Sequence, residues 1–405
     1  MEILMLTASL PYPPHQGGAL RSYGIIHGLH EAHHAITLLS FHDNSISVNT
    51  TPLAALCQRI ETVVPPRRSR NARLRDLFFS RQPDIARRLY SAAFYQQLLN
   101  LLRQQPFDLI QFEGIEVACY LPLLRQNGVR AKLCYDAFNA EAALQQVIFE
   151  VDRGNPRRWP AAAYSFIQSR RIARFERAIC EQADAVIAVS TEDANILRQF
   201  RPDKQVSVVT NGIFASDYIA ANGQLDLGKH VLVFTGKMDY RPNVDAMDWF
   251  TQDVLPTIRK QIADVRLYIV GQKPHSRVEK LRDQKGIEIT GWVRDVQPFL
   301  HSASVYVAPL RMGSGTRLKI LEAMAAGCAV VATNIAVSGM RADVKRAMII
   351  ADDATAMSEA ITKLLRDPEQ RMALGHAARD YVCQYYDWPV LIPGLLAIYK
   401  ELGLG

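Results

Sequence analysis

Val305-Tyr-Val-Ala-Pro-Leu-Arg-Met-Gly-Ser-Gly-Thr-Arg-Leu-Lys-Ile-Leu-Glu-Ala-Met-Ala-Ala-Gly327 is the stretch that decides the fold of this 405-residue chain. Val305 to Leu310 is β-branched, aromatic and aliphatic and predicts a strand. Arg311 to Thr316 is a loop of small residues, and Arg317 to Ala326 predicts a helix that Gly327 ends. A strand running through a glycine-bearing loop into a helix is the repeating unit of a parallel sheet wrapped by helices. Leu318, Leu321 and Met324 recur at helical spacing and form the stripe for the core. The loop Gly313-Ser314-Gly315-Thr316 leads to free amides, from Gly315 to Leu318, at the positive end of the helix dipole, a cradle for a diphosphate. Arg317 or Lys319 can neutralise that charge, and Glu322, one turn in, can accept hydrogen bonds from ribose hydroxyls. The plainer alternative for Glu322 is a solvated side chain.

The same alternation extends in both directions. Val231 to Thr235, Val265 to Val270, Ile287 to Thr290, Ala329 to Thr333 and Met348 to Ile350 read as further strands of the second half. Ile3 to Ala8, Ala35 to Phe41, Asp108 to Phe112, Ala131 to Tyr135 and Ala185 to Ser190 read as strands of the first, with Leu20 to Glu31 a helix between two of them. The rhythm restarts after the turn signal Thr210-Asn-Gly212. The chain is therefore expected to be α/β, with two doubly wound Rossmann-like domains, 1–205 and 206–382, facing each other across a cleft. Ligands of such sheets bind at the carboxyl ends of the strands, so each strand-to-helix loop is a candidate.

Hydrophobic residues make up 49% and charged residues 21%, with Gly 22 against Pro 20, which excludes disorder and fibres. The net charge of +7 leaves a phosphate-bearing or anionic-surface partner open. Six scattered cysteines without a CxxC pair read as buried small residues of a reducing compartment. The start is apolar but carries Glu2 and meets Pro11, Pro13 and Pro14, so it reads as a first strand and not a signal peptide. No apolar run approaches the ~20 residues needed to span a bilayer. Pro65 to Arg88 interleaves arginines with Leu and Phe. It reads either as a seat on anionic lipid or a lipid-linked acceptor, or as a solvated helix whose arginine stems cover apolar surface. His30-Glu-Ala-His-His34 matches HExxH, but a strand is expected to begin at Ala35, which breaks the helical geometry zinc would need. Neither a G-x-S-x-G nor a Cys/His array supports a nucleophilic or metal centre. Gly17 and Gly18, between a proline-rich loop and a helix, offer bare amides to an anion or make a tight turn.

Taken together, the chain resembles retaining nucleotide-sugar glycosyltransferases of the GT-B fold, specifically glycosyltransferase family 4. The marks run over nearly its whole length. They are Gly17-Gly18, Ala183 to Ser190 with Asp193, Val208 to Gly212, Phe234-Thr-Gly-Lys-Met-Asp-Tyr-Arg-Pro-Asn243, Ile269 to Gly271, Gly291 to Asp295, the Glu322 helix and Gly327 to Ala332. The ending, Tyr386-Asp-Trp388 and Leu395 to Leu402, is similar to the family's last helix, so 383–405 is expected to return to the first domain. By position the resemblance makes Glu322 the ribose-binding glutamate and gives the amides of Thr316 to Leu318 to the donor diphosphate. Lys237, after Gly236, becomes a diphosphate contact and Arg241 a second cation. Gly17 and Gly18 would face the same phosphates from the other domain.

Two departures stand out. Where the family often has a glutamate eight positions before the ribose one, this chain has Ser314. Its Gly-x-Gly-Thr-Arg-Leu-Lys form resembles a subgroup with altered sugar contacts. Where relatives often read Asp-x-His-Asn-x-Glu, it has Asp136-Ala-Phe138-Asn139-Ala-Glu141, with phenylalanine in place of the histidine near the reacting sugar. Asp136, Asn139 and Glu141 are then the catalytic candidates, each with a helix cap as its alternative, and Glu113 is a candidate for orienting the acceptor.

The resemblance implies retaining transfer from a UDP- or GDP-sugar to a hydroxyl of a saccharide or lipid-linked acceptor in cell-surface polysaccharide or glycolipid synthesis. The expected setting is the cytoplasm, peripheral at the inner face of the plasma membrane through Arg67 to Arg88. Without a DxD pair to bridge a metal and phosphates, neither metal nor cofactor is expected. The alternatives are a nucleotide-sugar-binding protein without catalysis and a GT-B-fold epimerase. No nucleic-acid recognition motif accompanies the positive charge.

Overall fold

The computed structural model describes residues 1–14, 17–43, 47–69, 75–77, 79–154, 159–219, 225–312 and 317–404. The chain divides into two compact units, one of Met1–Thr210 with Leu391–Gly405 and one of Asn211–Val390.

The first unit holds a parallel sheet of β1 (Glu2–Thr7), β2 (Ala35–Phe41), β3 (Arg59–Val63), β4 (Leu109–Glu113), β5 (Lys132–Ala137), β6 (Ala185–Ala188) and β7 (Ser207–Val208), in the order β3-β2-β1-β4-β5-β6-β7. The second holds β8 (Val231–Thr235), β9 (Arg266–Val270), β10 (Ile287–Gly291), β11 (Val305–Ala308), β12 (Val330–Ala332) and β13 (Ile349–Ile350), in the order β10-β9-β8-β11-β12-β13. Both are doubly wound α/β sheets. Their central strands are buried from end to end, as β4 (Leu-Ile-Gln-Phe-Glu) and β8 (Val-Leu-Val-Phe-Thr) illustrate, because helices cover both faces. In each sheet the strand order reverses beside the first strand, between β1 and β4 and between β8 and β11.

The helices that matter for the site are α1 (Gly17–Glu31), α2 (Glu141–Arg153), α3 (Trp159–Gln182), α4 (Arg241–Trp249), α5 (Leu318–Ala325), α6 (Pro368–Tyr385) and α7 (Trp388–Glu401). The boundaries read at 205/206 and 382/383 shift for identifiable reasons. β7 pairs with β6 and so belongs to the first sheet, while α6 continues past residue 382 to Tyr385. The histidines of HExxH straddle the end of α1, with His33 at φ 60° in the turn before β2, and His30 Nδ1 lies 3.1 Å from the Leu56 carbonyl oxygen. No described helix is long and apolar enough to cross a membrane.

Candidate active site

In the second unit the residues singled out in sequence gather at the strand-order reversal. β8 ends at Thr235 and turns through Gly236 at φ +149°, a backbone conformation that favours glycine. A Cβ there would lie 2.7 Å from Asn243 Nδ2 and 3.3 Å from Lys319 Nζ, so the missing side chain lets the β8 turn and α5 close on each other. Asn243, on α4, donates from Nδ2 to the Lys237 carbonyl at 2.9 Å and accepts from Lys319 Nζ at 2.7 Å. Lys319 Nζ also stands 4.1 Å over the Phe234 ring. Burial and the neighbouring Arg317 hold the Lys319 ammonium well below the usual lysine range, against the pull of Glu322.

Arg317 directly precedes α5 and is the least satisfied group of this cluster. Its Nε and Nη2 are buried and have no hydrogen-bond partner among the described residues. Burial also lowers its pKa, with the Tyr240 hydroxyl the group that holds it up. A buried guanidinium with open donors is costly in isolation, whereas a planar pair of N–H groups matches a phosphate or carboxylate. One turn into α5, Glu322 remains partly exposed, and its Oε1 accepts from the Tyr218 hydroxyl at 3.2 Å. Burial raises the pKa of Glu322.

The remaining donor-side candidates fall around this cluster. Leu318 opens α5, Arg241 opens α4 and is exposed, and Lys237 is half exposed and 3.8 Å from Asp239. Gly313, Ser314, Gly315 and Thr316 lie outside the described residues. Tyr218 and Asn243 escaped the sequence reading as positioning groups. Each acts on α5 from a different element, and no local pattern marks such a contact.

In the first unit the polar candidates are held tightly. Asp136, at the end of β5, is fully buried, and both its oxygens accept from Arg21, Nε and Nη2 each donating at 2.7 Å. Arg21 Nη1 donates onward to the carbonyls of Val209 at 2.8 Å and Thr210 at 3.2 Å. Glu113, at the end of β4, is 1% exposed and accepts from Ser22 Oγ at 2.7 Å and Gln111 Nε2 at 2.6 Å. Burial, then the Asp136 charge, pushes the Glu113 carboxyl up to about 8. Both carboxylates thus work inside the fold as placed, and neither presents an open oxygen to a substrate.

Asn139 and Glu141 are more accessible, and Asn139 Nδ2 donates to Glu141 Oε1 at 3.1 Å. The cap alternative fails for all three candidates of this loop. Asp193 Oδ1 accepts from Ala140 N at 3.0 Å, and the Glu176 carboxylate, reaching across from α3, accepts from Glu141 N at 2.9 Å and Ala142 N at 3.0 Å. Burial pushes the Glu176 carboxyl up to about 7 even so. Gly17 and Gly18 open α1, where the close neighbour is Phe138. A Cβ on Gly18 would lie 2.8 Å from Phe138 Cε2, and one on Gly114 3.2 Å from the same ring. The Phe138 ring therefore packs over one glycine in the first turn of α1 and one just after β4.

In the Pro65 to Arg88 segment, three of the described arginines are held in ion pairs. Arg68 pairs with Asp76 at 2.8 Å and Asp84 at 2.9 Å, Arg87 with Asp76 at 3.2 Å, and Arg88 with Glu116 at 2.9 Å.

Comparison with known proteins gives matches over both units. A family model described as Glycosyltransferase Family 4 matches residues 16–216, and one described as Glycosyl transferases group 1 matches residues 229–367. The phosphatidyl-myo-inositol mannosyltransferase of Propionibacterium freudenreichii subsp. shermanii is 29% identical over 230 residues, 54% of this chain and 57% of that protein. The chain thus spans little more than half the length of this curated relative. Among solved structures, sucrose-phosphate synthase from Thermosynechococcus elongatus superposes with a TM-score of 0.71 at 17% identity, covering 100% of this chain and 99% of that one. Anabaena HepE in complex with UDP and glucose gives 0.64 at 13% identity, covering 99% and 100%. With two parallel sheets of the GT-B type and family models that match in succession across both units, the chain belongs to glycosyltransferase family 4.

Proposed function

We propose that the protein is a retaining glycosyltransferase that moves a sugar, mannosyl or glucosyl, from a UDP- or GDP-sugar to a hydroxyl of a saccharide or lipid-linked acceptor. The observation that carries this reading is Arg317, whose buried Nε and Nη2 have no partner among the described residues, beside Lys319 and one turn from a Tyr218-held Glu322. The donor diphosphate would take the Arg317 N–H groups and the Lys319 ammonium, and Glu322 would accept from the ribose hydroxyls. The curated mannosyltransferase relative and the UDP complex of the structural neighbour support the donor class.

In the transfer itself the bond between the anomeric carbon and the diphosphate oxygen breaks as the acceptor oxygen bonds to that carbon. The acceptor proton passes to the departing diphosphate, which leaves as the nucleotide. Arg317 and Lys319 stabilise the charge that grows on this leaving group, a role that needs no metal. With Asp136 held by Arg21, no step is given to its carboxylate. Asn139 and Glu141 remain the polar groups of that loop available for orienting the sugar or the acceptor.

A second reading, a nucleotide-sugar-binding protein without turnover, draws on Phe138 and on the engaged Asp136. Incubation with UDP- and GDP-sugars in EDTA, with acceptor saccharides and lipid-linked saccharides, separates the two. Nucleotide release by wild type that Glu322→Ala strongly reduces at subsaturating donor is the expected result. Saturable binding with no release across the acceptors would establish the second reading in its place.

A further inference from the structure

We propose that the outward face of α3, with the adjoining turn of α2, docks this protein onto an anionic phospholipid bilayer. Ala162, Ser165, Ile172, Phe175, Glu176 and Ile179 form the buried stripe of α3, which leaves the opposite face outward. The first half of that face is apolar: Trp159 is 63% exposed, and Tyr164, Phe166 and Ile167 are exposed with it. On α2, Val147 and Ile148 are also exposed, and the Phe149 and Phe166 rings, 5.3 Å apart, tie the two helices together. Exposed aromatic and aliphatic side chains grouped on two neighbouring helices call for a partner.

The second half of the face identifies the partner by charge. Arg170, Arg174 and Arg177 follow on the same outward face, all exposed, while the acidic residues of α3 are Glu176, buried as the cap of α2, and Glu181 beyond them. The Arg170 guanidinium lies 4.4 Å over Phe166 and that of Arg153 5.8 Å over Phe149, so cation and apolar surface are interleaved. Trp and Tyr favour the level of lipid headgroups, Phe and Ile the acyl boundary, and arginines snorkel to phosphates. The ordering from Trp159 to Arg177 presents these in sequence. Arg68, Arg87 and Arg88 are committed to internal ion pairs, which takes three of the eight arginines of the 65–88 segment out of competition for headgroups.

The test is independent of transferase activity. Full-length protein is floated with vesicles of phosphatidylcholine alone or mixed with phosphatidylglycerol. Wild type is expected to float with the mixed vesicles and not with the neutral ones. Arg170→Gln with Arg174→Gln is expected to lower the partition about thirtyfold, at about fivefold per arginine. Trp159→Ala with Phe166→Ala and Ile167→Ala is expected to abolish it, while Arg67→Gln with Arg75→Gln leaves it unchanged. A blue shift of tryptophan emission on adding mixed vesicles, absent in Trp159→Phe, gives a second readout that does not depend on how the multiple variants fold. The proposal is overturned if wild type fails to float, if the α3 variants float as wild type does, or if the shift persists in Trp159→Phe. A concentration-dependent dimer that the apolar triple variant abolishes would also overturn it, because a second copy would then cover the face.

Discussion

Arg317 has two buried donors without a partner among the described residues, which makes its substitution informative. Arg317→Ala removes a buried, underpaired charge, so the apo protein should hold or gain stability while donor affinity falls. Glu322→Ala should weaken donor binding by about ten- to a hundredfold, the range of hydrogen bonds to a charged acceptor, with circular dichroism unchanged. Tyr218→Phe should show a smaller loss in the same direction, near fivefold, read as KM for the donor. Glu113 gives a pH signature. Its carboxyl is raised in the fold from 4.5 to about 8, so between those values the folded chain holds a proton that the unfolded chain releases. Stability from this group is present at low pH and declines as pH rises through the window, at up to about 1.4 kcal/mol per pH unit. Urea midpoints at pH 5 and pH 8 should therefore differ more in wild type than in Glu113→Gln; an equal difference in both would contradict the assignment. Glu322 and Arg317 could be singled out as candidates because one short strand-loop-helix segment carries them. The engagement of Asp136 was not legible, since its partner Arg21 lies far away in sequence and meets it only once β1 and β5 share a sheet.

At the level of elements, the alternation of apolar strands and helical patterns located the buried strands closely: Ala35–Phe41 and Val231–Thr235 stand as read, and the strand read over Val305 to Leu310 ends at Ala308, before Pro309. The two strands missed are sheet edges. Arg59–Val63 reads Arg-Ile-Glu-Thr-Val and is half-buried throughout, and Ser207–Val208 is too short to show a period. The last helix begins at Trp388, earlier than the stretch from Leu395, because Pro393 inside it disguised the first turns. The α2 start shows why its cap could not be found locally, since Glu176 supplies it from the next helix. Glu176→Ala should then cost about 2 kcal/mol, measured as a lower urea midpoint, with increased amide exchange at Glu141 and Ala142. Unchanged exchange at those two amides would show that the cap is dispensable.

Across the whole molecule, the chain builds one doubly wound unit, then a second, and returns to the first with Leu391–Gly405. The return is anchored in the core, where the Tyr399 hydroxyl, fully buried on α7, donates to Gln111 Oε1 on β4. Gln111 in turn holds Glu113, and Arg21 ties Asp136 to the carbonyls of Val209 and Thr210, the last residues before the chain leaves this unit. Tyr399→Phe leaves a buried carbonyl unpaired and should lower stability by about 1 to 3 kcal/mol, seen as an earlier loss of the first unit in urea. The measurement that bears most directly on the central claim is a calorimetric titration of UDP and GDP into wild type and Arg317→Ala, with EDTA present. The account predicts saturable binding of one nucleotide to wild type and at least about tenfold weaker binding to the variant. Absence of binding to wild type, or equal affinity in the two proteins, would contradict it.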